Sequence, residues 1–243
     1  MAYPSEGSLD RWKSRQELSG ATVIASEYDC DPDAGRPMEF RLTYEGKLLR
    51  SGSDKPRAQH KHELRKAFHK QLRRLWGINP YLKHGNPVTF DWEQSGLPKN
   101  GTTHGTTLAE WLANQYQRCG YQFVPLVRRE LSLVCALSIL FLRPDQPGDV
   151  LSSGDIDGRL KTLFDALTMP QNAGQLGPYK SPGEDETPFF CLLADDSLIT
   201  HVAVETDVLL EPIGTDFDKN DARLVVSVKL RPYIVDPSNE NFG

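Results

Sequence analysis

Twelve consecutive residues, 131–142 (LSLVCALSILFL), carry no charge, no glycine and no proline, and they constrain the fold more than any other stretch. A helix needs ~20 apolar residues to cross a bilayer, so this run, the longest in the chain, is too short to span one. Being apolar on both faces, it reads as a strand in the middle of a sheet, covered above and below. The other strands read differently. Met38, Phe40, Leu42 and Tyr44 alternate with polar residues up to Gly46, the pattern of a half-buried strand. Residues 121–127, 199–209 and 224–231 read as further strands, the last with Leu224, Val226, Val228 and Leu230 in alternation.

Between them lie three helical patterns. Asp54 is placed as an N-cap with Pro56 in the first turn, and Leu64, Phe68, Leu72 and Leu75 recur at helical spacing until Gly77 and Pro80. Thr107 and Glu110 have capping-box spacing and open a second helix that ends near Gly120. Leu160, Leu163, Phe164 and Leu167 make a short amphipathic helix that begins near Arg159 and stops at Pro170. The order β-α-α-β-β-α-β-β predicts an α/β (α+β) protein, a mixed β-sheet with helices packed on it.

At ~150 residues per domain, a chain of 243 residues favours one decorated domain. The expected layout is a polar extension over 1–35, a single domain over 36–235 with insertions at about 78–106 and 171–188, and a tail over 236–243. Residues 1–20 have no apolar core, so no secretory leader is expected. Cys30, Cys119, Cys135 and Cys191 are scattered, which fits a reducing cytoplasm and gives no structural zinc pattern. No P-loop pattern is present, so no nucleotide cofactor is expected. The six histidines have no ligand spacing with cysteine.

Charge is distributed unevenly. Residues 47–75 hold ten bases against two acids, and residues 181–219 hold ten acids against one base, Lys219. The basic stretch is a candidate polyanion surface, with Lys61, Arg65, Lys66, Arg73 and Arg74 as phosphate contacts that would not read bases. A solvated helix face is the plainer reading of the same residues.

The acids carry the chemistry. Asp155 and Asp157 precede a helix that holds Lys161 in its first turns, and Asp195–Asp196 follow the apolar stretch FFCLLA. Each has an ordinary reading: Asp157 as a cap, Asp155 in a loop, Asp195–Asp196 marking a turn. Two carboxylate pairs with a lysine nevertheless repel one another unless a cation compensates, and oxygen-only ligands suit Mg²⁺, with Mn²⁺ as a substitute. Phosphodiester hydrolysis needs an activated water and stabilised charge, which such a cation and Lys161 can supply. Asp165, one turn past Lys161, is expected to orient the lysine rather than bind metal.

Residues 155–167, D-I-D-G-R-L-K-T-L-F-D-A-L, followed by D-D at 195–196, resemble the RusA-type Holliday-junction resolvases. That family's pattern is D-x-D-N-x-x-K-x-x-x-D-x-L with a D-D after a short connection. The resemblance spans roughly 100 residues, 131–233, and implies a RusA-like fold and a Mg²⁺-dependent endodeoxyribonuclease acting as a homodimer on branched DNA. It matches Asp155 and Asp157 to the first two metal-binding aspartates, Lys161 to the catalytic lysine, and Asp196 or Asp195 to the third acid. Gly158 stands where the family has Asn, and 171–188 lengthens the connection. Two other readings remain: a RusA-like nucleic-acid-binding protein that no longer cuts, and a haloacid-dehalogenase-type phosphatase with Asp155 as nucleophile. The second requires that aspartate directly after a buried strand.

Overall fold

The computed structural model describes residues 38–84, 107–145, 155–216 and 218–235, with Asn239 and Phe242. All of these belong to the unit Gly35–Gly243. The expected extension over 1–35, most of the insertion at 78–106 and most of the tail lie outside the described residues.

The protein is a mixed α+β fold in which the strands divide between two sheets. Strands β1 (Glu39–Lys47), β7 (Asp221–Pro232), β4 (Leu133–Arg143) and β6 (Ile199–Val208) form the larger, in the order β1-β7-β4-β6. β7 runs antiparallel to β1 and to β4, and β4 runs parallel to β6. The smaller sheet is β2 (Gln117–Arg118), β3 (Tyr121–Val127) and β5 (Phe189–Leu193), with β3 and β5 parallel. One sheet was expected. The chain changes sheet at a 3₁₀ turn, Arg129–Leu131, followed by Ser132 in the left-handed region (φ 51°), which separates β3 from β4.

The apolar run becomes β4, paired on both sides as its composition requires. Leu137, Ile139 and Phe141 alternate inward beside Val228, Val226 and Leu224 of β7. Helix α1 (Lys55–Ile78) covers this face with Leu64, Phe68, Leu72 and Trp76, each side chain contributing about 1.5–3 kcal/mol through burial. Asp54 caps α1 by accepting from the Arg57 N–H at 2.9 Å. The one-turn helix α2 (Pro80–His84) and α3 (Leu108–Gln115) follow, and the expected capping box joins Thr107 and Glu110. Helix α4 (Asp155–Leu167) packs against α1.

The two edges of the larger sheet are treated differently. On β1, the Gln71 amide of α1 accepts from Thr43 N–H (2.9 Å) and donates to Thr43 C=O (2.7 Å), closing the edge. On β6, Val202 opposes Leu137 on the core-facing side but is 40% exposed, and His201, Ala203 and Glu205 are exposed on the other side. β6 has no proline or lysine to blunt it.

Candidate functional site

The face of α4 that packs inward carries Ile156, Leu163, Ala166 and Leu167. Asp157 and Lys161, four residues apart, therefore share the opposite face, and both are exposed. Asp155 opens the helix, and its side chain lies outside the described residues. Gly158 carries a packing role: its C=O accepts from Ser51 N–H at 2.7 Å, and a Cβ there would stand 3.4 Å from Arg50 Cβ. The segment leading into α1 crosses α4 at this point, which accounts physically for the glycine. Asp165 does not orient Lys161. Its carboxylate pairs with Lys61 Nζ at 2.6 Å, so it joins α4 to α1.

Asp195 and Asp196 sit beyond the far end of β5. Asp195 caps a short 3₁₀ turn, Asp196–Leu198, and accepts from Ser197 N–H at 2.9 Å. Ser197, through its hydroxyl and its N–H, with Arg129 behind it, holds Asp195 below the usual carboxylate range. Asp196 is exposed.

Within one chain Asp157 does not meet Asp195–Asp196. Asp195–Asp196 lead into Ile199, which faces Cys135 near the start of β4. The first turn of α4 lies near the opposite end, where Arg159 and Arg143, the last residue of β4, both donate to Lys219 C=O at 3.4 and 3.3 Å. From Cys135 to Arg143 β4 runs roughly 26 Å at ~3.3 Å per residue. Among the described residues no three His, Cys, Asp or Glu side chains converge as a metal site requires. The donors are right in kind for Mg²⁺, hard carboxylate oxygens, but a single chain splits them.

The basic helix also differs from expectation. Arg65 is only 2% exposed, and its guanidinium donates to Thr168 C=O (3.0 Å) and Asp165 C=O (2.6 Å). It is a strut between α1 and the end of α4, not a phosphate contact. Lys66 pairs with Glu186 at 2.8 Å and lies over the Tyr179 ring, and Arg73 pairs with Asp185 at 3.1 Å. Part of the acidic stretch thus folds onto the basic one. A cleft of about 470 Å³ between them is lined by Lys66, Lys70 and Arg73 against Glu184, Asp185 and Glu186, and its charges balance. Lys70 and Arg74 remain exposed. Beneath lie His62 and His69, stacked on Phe189. Burial, helped by Arg65 and Lys66, pushes the His62 imidazole down to about 3, and burial also lowers His60 and His69.

A second group of cations lies elsewhere. A cavity of about 810 Å³ at the first turns of α4 and α1 is lined by Arg50, Arg57, Arg143, Arg159 and Lys219, against Asp54 and Asp145. Arg143 and Arg159 are 3% and 4% exposed. Arg143 pairs with Asp145, and Arg159 donates to Leu48 C=O and to Asn220 Oδ1. Burial, then the neighbouring Arg159, lowers the Arg143 guanidinium, with Arg50 adding to the effect and Asp145 opposing it. The sequence carried a signal for both buried arginines. Arg143 continues the inward series 137, 139, 141, and Arg159 occupies the apolar stripe between Ile156 and Leu163. A cation in a core position needs an anion or a cluster of oxygens.

Comparison of the chain with family models, curated proteins and solved structures finds no match.

Proposed function

We propose that this protein is a Mg²⁺-dependent, structure-selective endodeoxyribonuclease, with Mn²⁺ as a substitute, that resolves Holliday junctions or other branched DNA as a two-fold homodimer. One observation carries the reading: Asp157 and Asp195–Asp196 lie toward opposite ends of a sheet whose β6 edge pairs with no further strand among the described residues. Antiparallel pairing of β6 with a second β6 across a two-fold axis brings Asp195–Asp196 of one chain to the same end of the joined sheet as the partner's Asp155 and the partner's Asp157. Isologous pairing makes two such centres, the number that two symmetric nicks require. When bound, Mg²⁺ supplies an activated water and charge neutralisation at the scissile phosphate. Asp155, Asp157 and Asp196 are the residues that would hold it, with Asp195 kept anionic beside them by Ser197. Lys161, one turn from Asp157 on the same exposed face, donates to the non-bridging oxygens as charge builds.

A chain that stays monomeric keeps its carboxylates apart, and this favours the second reading, a nucleic-acid-binding protein without cleavage. The phosphatase reading needs a buried strand directly before Asp155, and residues 146–154 lie outside the described residues; among the described residues β4 ends at Arg143 and Asp155 opens a helix. The test is cleavage of a labelled four-way junction beside the linear duplex, with Mg²⁺ and with EDTA. Mg²⁺-dependent, paired nicks in the junction are expected. Binding without nicks at saturating Mg²⁺ and Mn²⁺ overturns the nuclease.

A further inference from the structure

We propose that the carboxylates of Glu184, Asp185 and Glu186 stand in for strand phosphates on the basic face of α1, and that a nucleic-acid strand displaces them. The identity of the polyanion rests on the nucleic-acid reading above; the exchange rests on contacts between α1 and the 171–188 segment. Lys66, Lys70 and Arg73 recur at i, i+4 and i+7 and line one wall of the cleft of about 470 Å³, with the three consecutive acids opposite. At ~1.5 Å per residue the cations span about 10 Å, the axial rise of about three nucleotides at ~3.4 Å each. Neighbouring carboxylates repel one another, so three in a row gain from these cations when no strand is bound. Yet the carboxylates do not fasten the segment that carries them. The backbone and buried rings do that. Tyr121 Oη–H donates to Ser181 C=O at 2.9 Å. The His69 ring donates through Nε2–H to Asp185 C=O at 3.0 Å, while its Nδ1 accepts from Phe190 N–H at 2.8 Å. Phe189 stacks on both His62 and His69, Leu176 is buried, and Gly177 lies so close to Gln59 that a Cβ would stand 2.7 Å from its backbone. The ion pairs themselves are open to a competitor. Arg73 meets Asp185 at 3.1 Å with that carboxylate side chain 83% exposed, Lys70 and Glu184 are exposed, and Lys66–Glu186 at 2.8 Å is partly covered. Exposed pairs hold weakly and are screened by salt. A strand brings several phosphates at once and releases its condensed counterions, so it takes over the cations while the backbone of 181–189 stays in place.

Neutralising the acids should therefore unmask the face. Binding of a fluorescein-labelled four-way junction is measured by anisotropy in EDTA over a salt series for the wild type and two triple variants. The first is Glu184→Gln with Asp185→Asn and Glu186→Gln. The second makes the same charge change on exposed residues elsewhere, Glu39→Gln with Glu211→Gln and Asp216→Asn. The first triple is expected to bind about ten-fold more tightly at low salt and to steepen the salt slope by about two units, the share of the freed Lys66 and Arg73. The second should change affinity less than about two-fold, since its charges lie away from the face and are screened. Adding Lys66→Gln and Arg73→Gln to the first triple should cancel its gain. Thermal unfolding checks every variant; if the first triple melts early, Asp185→Asn alone carries the test, with about one unit of slope expected. Binding by the first triple where the wild type shows none supports the proposal. Equal gains in the two triples, an unchanged slope in the first, a gain that survives the loss of Lys66 and Arg73, or no binding by any variant overturns it. Because EDTA removes the chemistry, failure of the nuclease reading shows separately, as a chain that is unmasked in this way and never cuts with Mg²⁺.

Discussion

The basic face of α1 and the cavity at the start of α4 are both rich in cations, yet they do different work. On α1, Lys61, Lys66 and Arg73 each find a carboxylate from α4 or the 171–188 segment, and Arg65 is buried against two carbonyls. At the cavity the partners are local: Arg57 pairs with Asp54, Arg143 with Asp145, and Arg159 donates to Leu48 C=O and Asn220 Oδ1. The density of Lys and Arg along a sequence therefore does not locate an anion site. What locates it is where the acids fold back, and here the acids of 181–186 fold onto α1.

The comparison breaks most visibly in catalysis. Asp157→Asn removes one exposed charge near the cavity, so junction cleavage should fall at least ~100-fold, more than outer-shell changes at metal sites do, with no change in melting temperature. Arg65→Met acts at the other region and should do the reverse. It leaves two buried carbonyls short of a donor, costing about 1–3 kcal/mol, while junction affinity of the folded protein stays within about two-fold. Chemical denaturation beside anisotropy reads both.

Acid should attack the α1 side through its histidines. The folded pKa of His62 lies near 3 and that of the unfolded residue near 6.5, so between those values the unfolded chain binds more protons. Stability is full above the unfolded value and falls as pH drops through this window, by up to about 1.4 kcal/mol per pH unit for each such histidine. His60 and His69 shift in the same direction. A His62→Gln variant should show a shallower loss; a profile flat from pH 7 to 4 contradicts the buried neutral imidazoles. The smallest effect belongs to Glu186→Gln, which frees the partly exposed Lys66. It should cost about 1 kcal/mol or less, and it should steepen the salt dependence of DNA binding by at most about one unit.

Much of the fold was legible because it rests on local periodicity. The charge-free run became the doubly paired β4, the alternation at 224–230 became β7, and the stripe Leu64, Phe68, Leu72 became the buried face of α1. The division into two sheets was not legible. It depends on a left-handed Ser132, and a serine carries no signal for that conformation. The site was half legible. Asp157 and Lys161 stand exposed on one face as their i, i+4 spacing requires. The separation of Asp157 from Asp195–Asp196 is set by strand direction across the sheet, which spacing along the chain does not encode. The fate of Arg65 was hidden for a similar reason, since its partners lie a hundred residues away on α4.

The central claim is that the two carboxylate pairs, split within one chain, are reunited across a two-fold dimer. Mixing Asp157→Asn chains with Asp196→Asn chains after unfolding and refolding tests it directly, with single nicks in a labelled junction as the readout. If each centre draws on two chains, every mixed dimer has one intact centre, and the mixture should regain about a quarter of the wild-type nicking while each variant alone has none. If all the carboxylates of a centre come from one chain, every centre in the mixture carries a lesion. A mixture as inactive as its parents, with mixed dimers verified by mass, contradicts the account.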